Sequence, residues 1–262
     1  MITDYITYLR YTKGYGENTI KAYSNALINF VTAMAAKGLR WSTITKDDIE
    51  CYLAGLKQSG KSVATIVQHI SAIRGIFNWM ARQYGIENPS RYIQSPKRAA
   101  SVPHIISMDD VKRVLIAERN PQVRIGIALM AFVGLRVSEV RNMRYEDIDR
   151  VSGRVLVVGK GKKERYVYIP QSIIALLGEK QGFIIEYEDR DFRYLVFQSF
   201  RKFGIYCSPH MLRHTFATWS LDNGMRLDVL REVLGHTSLA TTQIYLHIRP
   251  QVVRKELAKC SI

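Results

Sequence analysis

A tyrosine near the end of the chain follows histidines and an arginine that could together handle a phosphate. Tyr245 comes nine residues after His236, and both follow the segment His210-Met-Leu-Arg213-His214. A phenol is a weak nucleophile at its free pKa of about 10, and it becomes effective where cations stabilise the phenolate and a charged phosphoryl transition state. These residue types predict attack by a tyrosine oxygen on phosphorus. Taken alone, between apolar neighbours, Tyr245 is better explained as a core residue.

The segment around His210 is predicted to begin a helix, because Ser208-Pro209 is a strong helix start. His210, Arg213 and His214 are spaced to share one face of that helix, where their donors suit phosphate oxygens. The alternative is a zinc site formed by the two histidines. It is disfavoured because Arg213 would place a cation beside the metal and no glutamate stands where a zinc protease has its base. We expect no metal and no cofactor. His214 also fits a buried structural histidine, better than His210 does.

Arg136 is a further candidate for binding phosphate. It lies in Gly134-Leu-Arg136-Val-Ser-Glu139, just after a glycine that breaks a buried helix. An arginine at the edge of a buried segment needs a partner, and Glu139, one helical turn further on, could orient it. For this motif alone, a purely structural Arg–Glu pair is the favoured explanation.

A lysine-rich turn supplies a candidate proton donor. Two short apolar runs flank Gly159-Lys160-Gly-Lys162-Lys163-Glu-Arg165, which predicts a β-hairpin with this turn at its tip. The turn lacks the P-loop pattern. A lysine ammonium can give a proton to a departing alkoxide, and the flanking glycines let Lys160 approach a ligand. A solvated, charged tip is the better explanation of this turn when it is considered without the other motifs.

Hydrophobic periodicity predicts a helical unit over residues 1–85. The apolar face of one helix is formed by Ile20, Tyr23, Leu27, Phe30 and Val31. A second helix is predicted to start at Thr45, with Asp48 completing the cap. A third is predicted to open at Ser62 and close at Gly85.

The remaining chain divides into a linker and a second domain. Residues 88–104 contain three prolines and the pair Lys97-Arg98 without an apolar period, which predicts an extended linker. Its charges could follow a phosphate backbone or only solvate the connection. We therefore predict a mainly α protein with a helical domain over residues 1–87. A mixed α/β domain with a small antiparallel sheet is predicted over residues 105–262.

The chain is strongly basic in both parts. Its formal net charge is +15, with 13 Lys or Arg against 6 Asp or Glu in residues 1–98 and 25 against 17 in residues 99–262. Two basic parts indicate that each faces a polyanion, which favours nucleic acid. A hydrophobic fraction of 47% excludes disorder throughout, and no apolar run is long enough to cross a bilayer. The three cysteines are far apart, without metal-ligand spacing, which favours a reduced cytosolic setting.

The ordered motifs resemble those of the tyrosine recombinases, the phage-integrase family. The matching positions are Arg136, Lys160, His210-x-x-Arg213, Leu-Gly-His236 and Tyr245. Phrases such as Gly-Leu-Arg-Val-Ser-Glu and Leu-Gly-His-Thr-Ser-Leu-Ala-Thr-Thr-Gln-Ile-Tyr are similar to the Xer-type branch. The N-terminal helices resemble the family's core-binding (SAM-like) domain, so the likeness covers nearly the whole chain.

This resemblance implies a clamp around duplex DNA in which Tyr245 attacks the scissile phosphate and forms a 3′-phosphotyrosyl link. The other implied roles fall to Arg136 and Arg213 on the non-bridging oxygens, His210 and His236 as hydrogen-bond donors, Lys160 (with Lys162 as its rival) as general acid, and Glu139 as support for the arginine beside it. Candidate DNA contacts outside this set are Lys97, Arg98, Lys162, Lys163 and Arg165.

The resemblance also implies partners and a location. The expected partners are double-stranded DNA with a short specific site, a homotetramer that exchanges strands through a Holliday junction, and an accessory recombinase or cell-division protein. Neither ATP nor a metal is required, because the phosphotyrosine retains the energy of the broken bond. The expected location is the cytoplasm, in association with the nucleoid. The alternatives are a type IB topoisomerase-like enzyme that relaxes DNA and a DNA-binding relative without catalysis.

Overall fold

The computed structural model describes residues 1–96, 104–159 and 163–235, and the chain divides into two compact units, residues 1–100 and 101–262. The boundary lies inside the segment predicted as a linker. The predicted fold class, mainly α with a small antiparallel sheet, is confirmed.

Helices account for most of the first unit. They are α1 (Ile2–Thr7), which continues as a π-helical segment (Tyr8–Thr12), α2 (Glu17–Ala35), α3 (Lys46–Gln58) and α4 (Val63–Tyr84). The predicted apolar face of α2 packs against α4, with Leu27 and Phe30 fully buried. Phe77 of α4 meets Phe30 edge to face, with ring centroids 6.4 Å apart.

The predicted start of α3 and the predicted start and end of α4 match their caps. The Thr45 hydroxyl accepts a hydrogen bond from the Asp48 amide, and the Asp48 carboxylate accepts one from the Thr45 amide at 2.9 Å. Ser62 caps α4 through the Thr65 amide, and Gly85 ends α4 in a left-handed conformation.

The start of the predicted linker is packed against the first unit. Ser90 is buried and donates to the Asn88 side chain, and Ile93 joins the core. This stretch forms a turn rather than an extended chain. The Asn88 side chain accepts a hydrogen bond from the Ser90 backbone N–H and donates one to the Asn78 side chain of α4, which ties the turn to that helix. Lys97 and Arg98 lie outside the described residues.

Helices also make up most of the described part of the second unit. They are α5 (Met108–Ala117), α6 (Pro121–Phe132), α7 (Val137–Asn142), a 3-10 turn (Tyr145–Asp147), α8 (Gln171–Leu177), α9 (Asp189–Arg201), α10 (Pro209–Asp222) and α11 (Leu227–Leu234). Most of α6 is buried, and α5, α7, α8, α9 and α10 all contact it. This apolar helix is the centre around which the second unit is built.

The described part of the second unit also contains an antiparallel pair of strands, β1 (Arg154–Val158) and β2 (Glu164–Tyr168). Val155 and Val167 are paired and buried, whereas Leu156 and Tyr166 are paired on the exposed face. Because side chains alternate along a strand, Arg165 lies on the same side of β2 as the buried Val167.

Candidate active site

A left-handed turn after α6 places Arg136 at the start of α7. Gly134 has a φ of +73°, and a Cβ there would lie 2.3 Å from the Phe216 side chain of α10. Only glycine fits, both for its conformation and for the space left by Phe216. Arg136 is the N-cap of α7, and the Glu139 carboxylate accepts its backbone N–H at 2.9 Å. The segment Gly134-Leu-Arg-Val-Ser-Glu139 therefore forms a tight turn followed by the first turn of α7, in which the Glu139 carboxylate binds a free backbone N–H at the helix N-terminus.

Glu139 is the centre of the site. Its side chain is 2% exposed, and its Oε1 accepts a hydrogen bond from Arg136 Nη1 at 2.7 Å. Burial alone raises the pKa of Glu139, but the hydrogen bonds from Arg165 and Arg136 outweigh burial, and the pKa lies below its usual value. The carboxylate is therefore ionised at neutral pH, and it orients the arginine that the sequence paired with it.

Arg165 is the strongest partner of Glu139, and the sequence did not predict this contact. Its Nη1 and Nη2 donate to Oε1 and Oε2 of Glu139, both at 2.9 Å, and its Nε donates to the Val233 carbonyl at 2.7 Å. Its side chain is 10% exposed. The sequence indicates Arg165 only as a candidate DNA contact. The strand alternation that puts it on the side of Val167 was the available signal for an inward position.

Arg213 closes the site from α10. Its Nη1 donates to the Gly134 carbonyl at 2.6 Å, and its Nη2 donates to the Leu234 carbonyl at the end of α11. The same Nη1 lies 3.8 Å from Glu139 Oε2, and the side chain is 6% exposed. Arg213 thus links the turn after α6 to the end of α11 and stands beside the central carboxylate.

His210 and His214 precede and follow Arg213 on α10, which begins at Pro209 after the N-cap Ser208. Partial desolvation lowers the pKa of His210, and the cations of Arg193, Arg213 and Arg136 lower it further. The pKa of His214 is lowered by desolvation first, and then by His210 and Arg213. At pH 7 both rings are therefore neutral, and His210 can still donate one hydrogen bond.

The charges of this site do not cancel. Three guanidinium groups, those of Arg136, Arg165 and Arg213, lie within 4 Å of a single carboxylate, that of Glu139. A neutral His210 contributes no charge. The arrangement holds an excess of positive charge, and Arg136, whose side chain is 28% exposed, is the most open to solvent of the three arginines. Such a site can bind an anion with fixed geometry.

Several predicted site residues lie outside the described residues. These are Lys160 and Lys162 of the turn, and His236 and Tyr245 of the last segment. The described chain comes close to the site just before each of these two gaps. Gly159, which precedes Lys160, adjoins Glu139, and Gly235, which precedes His236, lies against Arg165. Lys163 is exposed, and its carbonyl accepts the Gly159 N–H at 2.7 Å.

Across residues 1–96, 104–159 and 163–235, no three His, Cys, Asp or Glu side chains come together as metal ligands. Among the same residues, no helix has the length and apolar character to span a membrane.

Comparison with known proteins assigns both units. Residues 104–251 match the model of the phage integrase family, and residues 2–84 match the phage integrase N-terminal SAM-like domain. The tyrosine recombinase XerD of Oceanobacillus iheyensis is 34% identical over 276 residues, covering 94% of this chain and 93% of that protein. A tyrosine recombinase of Thermosipho africanus is 32% identical, covering 96% and 95%. The chain belongs to the phage integrase family, the family of the tyrosine recombinases.

Solved structures share the fold at lower sequence identity. A XerH site-specific recombinase bound to its difH substrate has a TM-score of 0.73 at 21% identity, covering 100% of this chain and 85% of that one. A lambda integrase dimer bound to a core site has a TM-score of 0.76 at 19% identity, covering 95% of each chain. At these identities the likeness concerns the fold.

Proposed function

We propose that this enzyme is a site-specific DNA recombinase that cleaves and rejoins DNA through a 3′-phosphotyrosyl intermediate. The observation that carries the proposal is the convergence of Arg136 and Arg213 on one buried carboxylate, Glu139, with positive charge in excess. A phosphodiester needs such an anion site, and phosphoryl transfer depends mainly on positioning and charge stabilisation. The order of motifs along the chain and the named activity of the relatives support the same reaction.

In this proposal Tyr245 is the nucleophile. Its phenolic oxygen bonds to the scissile phosphorus and its proton is released to solvent, while the bond from phosphorus to the 5′-oxygen breaks. Lys160 gives a proton to that leaving oxygen, which becomes a 5′-hydroxyl. Arg136 and Arg213 hold the non-bridging oxygens. The reverse reaction rejoins the strand, so one intermediate serves cleavage and ligation.

Two histidines complete the proposed set. A neutral His210 donates a hydrogen bond to a non-bridging oxygen, and its position beside Arg213 on α10 supports this role. His236 is proposed to do the same from the residue after Gly235. Lys162 is the rival of Lys160 as general acid, since it belongs to the same turn.

We assign a separate role to each domain. Residues 1–87 would form the core-binding domain, residues 88–104 the linker and residues 105–262 the catalytic domain. Lys97, Arg98, Lys162 and Lys163 are proposed DNA contacts. Arg165 is not proposed as a DNA contact, because its three guanidinium nitrogens donate hydrogen bonds within the protein.

The proposed partners are double-stranded DNA with a short specific site and three further copies of the chain. Strand exchange would proceed through a Holliday junction in that tetramer, with another recombinase or a cell-division protein as an accessory. Related folds bound to their DNA substrates support a duplex partner. The proposed location is the cytoplasm, on the nucleoid.

The decisive experiment traps the covalent intermediate. A duplex site is selected from a randomised library by binding to the full-length protein, and it is then nicked so that a short fragment diffuses away after cleavage. The wild-type protein is expected to form a covalent adduct with this duplex, and Tyr245→Phe is expected to form none. Arg136→Ala should lose the adduct but keep most of its DNA affinity, because many other cations contact the backbone.

Other outcomes would point to the alternatives. A wild-type protein that binds the selected duplex tightly but forms no adduct would be a DNA-binding relative without catalysis. A wild-type protein that relaxes supercoiled plasmid lacking the site, and does not recombine two sites, would be a topoisomerase. The names of the relatives do not favour either alternative.

A further inference from the structure

We infer that Arg165 is a positioning residue, which clamps the base of the hairpin that carries Lys160 to Glu139 and to the end of α11. This inference rests on the proposed function, because it concerns the proposed proton donor. It assigns to Arg165 an indirect role in leaving-group protonation.

The hydrogen bonds of Arg165 leave it little capacity for a DNA phosphate. Nη1 and Nη2 bind the two oxygens of Glu139, and Nε binds the Val233 carbonyl. This forked contact with a carboxylate has a geometry that a single ammonium cannot reproduce. The Arg165 side chain is 10% exposed, between the 6% of Arg213 and the 28% of Arg136, so its hydrogen bonds rather than its burial set it apart from those two arginines.

The hairpin base lies directly against this contact. The Gly159 N–H donates to the Lys163 carbonyl at 2.7 Å and closes the hairpin just before the turn. A Cβ on Gly159 would lie 3.6 Å from Arg165 Nη1 and 3.7 Å from Glu139 Oε1. The described backbone just before Lys160 therefore runs beside the pair formed by Arg165 and Glu139.

The end of α11 is held by the same side chain. Gly235 adopts a left-handed φ of +61°, and a Cβ there would lie 3.1 Å from Arg165 Cδ and 3.2 Å from its Nε. Together with the bond to the Val233 carbonyl, this contact places the chain just before His236 against β2. Arg165 thus lies beside the described chain both just before Lys160 and just before His236.

The chemical consequence falls on proton transfer. A general acid must lie within hydrogen-bond reach of the atom that it protonates, and a displacement of about 1 Å costs roughly 100-fold in rate. A lysine at position 165 keeps the charge but cannot bind both Glu139 oxygens and the Val233 carbonyl together. The base of the hairpin is then held less firmly, and Lys160 lies within hydrogen-bond reach of the leaving oxygen for a smaller fraction of the time.

The test compares Arg165→Lys with wild type on two nicked duplexes of the selected site, under single-turnover conditions. One duplex has the normal 5′-oxygen at the scissile phosphate, and the other has sulfur there. A thiol ionises near pH 8.5, far more readily than an alcohol, so a sulfur leaving group needs little protonation. We expect cleavage of the oxygen duplex by Arg165→Lys to be slower by roughly 10- to 100-fold, and cleavage of the sulfur duplex to be slowed much less.

DNA affinity is the second readout. The dependence of binding on salt should be unchanged in Arg165→Lys, because no phosphate contact is lost. Arg154→Lys is the matched control: Arg154 lies on the same hairpin, stacked 3.9 Å over the Tyr166 ring on the exposed face. It should cleave both duplexes at the wild-type rate.

Three results would overturn the inference. Arg165→Lys could cleave both duplexes like wild type. It could lose rate equally on both duplexes, as expected from a role in folding alone, with a smaller active fraction and a lower melting temperature. An Arg165→Ala protein with weaker binding and a shallower salt slope, by about 0.9 for one phosphate, would show a DNA contact. If wild type itself forms no adduct, the proposed function fails, and this outcome is distinct from the other three.

Discussion

Replacing Glu139 by glutamine is the most direct test of the central carboxylate. The substitution keeps the size of the side chain and removes its charge. Glu139 accepts from the Arg136 amide at 2.9 Å, from Arg136 Nη1 at 2.7 Å, and from Arg165 Nη1 and Nη2 at 2.9 Å. A glutamine side chain accepts hydrogen bonds through one oxygen only. Its NH₂ group is a donor, so it would lie against guanidinium N–H groups that also donate.

The magnitude follows from that count. Removing one partner of a buried ionic group usually costs about 3–5 kcal/mol, and the remaining amide oxygen keeps part of the bonding, so we expect a loss of about 3 kcal/mol. For a protein of this size, each kcal/mol lowers the melting temperature by about 2–4 °C, so the expected decrease is roughly 6–12 °C. Glu146→Gln is the matched control. Glu146 is exposed, pairs with Arg144 and accepts the Gly182 amide, and its loss should cost less than about 1 kcal/mol.

The pH dependence supplies an independent check. The pKa of Glu139 lies below its ordinary value of 4.5, so the carboxylate stabilises the folded state fully above that pH. The stabilisation is lost as the pH falls through the lowered folded-state value. The difference in unfolding free energy between wild type and Glu139→Gln should therefore be largest at neutral pH and shrink in acid. Urea denaturation at several pH values measures it. A loss no larger than that of Glu146→Gln, or one independent of pH, would refute the reasoning.

Two further predictions concern the turn and the histidine. Gly134→Ala should destabilise the protein by about 2–4 kcal/mol, because it combines a left-handed backbone with a collision with Phe216. Gly204→Ala, at a φ of +72° in open space, should cost only about 1 kcal/mol in the same denaturation experiment, and equal losses would contradict the steric argument. His210 should titrate below 6.5 in the free protein, and its pKa should rise when a phosphate binds beside it. NMR titration of the ring with and without duplex DNA measures this shift, and the pKa of the buried His69 should not change.

The sequence predicted the elements better than their mutual contacts. The sequence predicted the helix caps at Thr45 and Ser62 and the β-hairpin, because each of these features depends on residues that are close together in the chain. The pair formed by Arg136 and Glu139 was readable for the same reason, since the two residues lie three apart on one helix start. Local rules cover this part of the fold and of the site.

The contacts of Arg165 could not be predicted from neighbouring residues in the chain. Its partners, Glu139 and Val233, lie 26 residues before it and 68 residues after it. Strand alternation could have placed its side chain inward, but only tertiary packing brings the end of α11 and the start of α7 to that strand. The turn after Asn88 was missed for a related reason. Prolines and charges suggested an extended chain, whereas packing of Ile93 into the first unit fixes a turn.

The charge of the site explains why a carboxylate belongs among its arginines. Arg165 binds both oxygens of Glu139, and these two charges offset each other. Arg136 and Arg213 then remain as two positive charges whose directions are set by Glu139 and by backbone carbonyls. A phosphodiester carries one negative charge, and attack by a phenolate adds a second in the transition state. Two fixed positive charges therefore stabilise the doubly charged transition state more than they stabilise the singly charged substrate. An enzyme accelerates a reaction only through such a difference, because equal stabilisation of both states would give binding without catalysis. Without the carboxylate the site would carry more positive charge, but its arginines would no longer be held in place to use it.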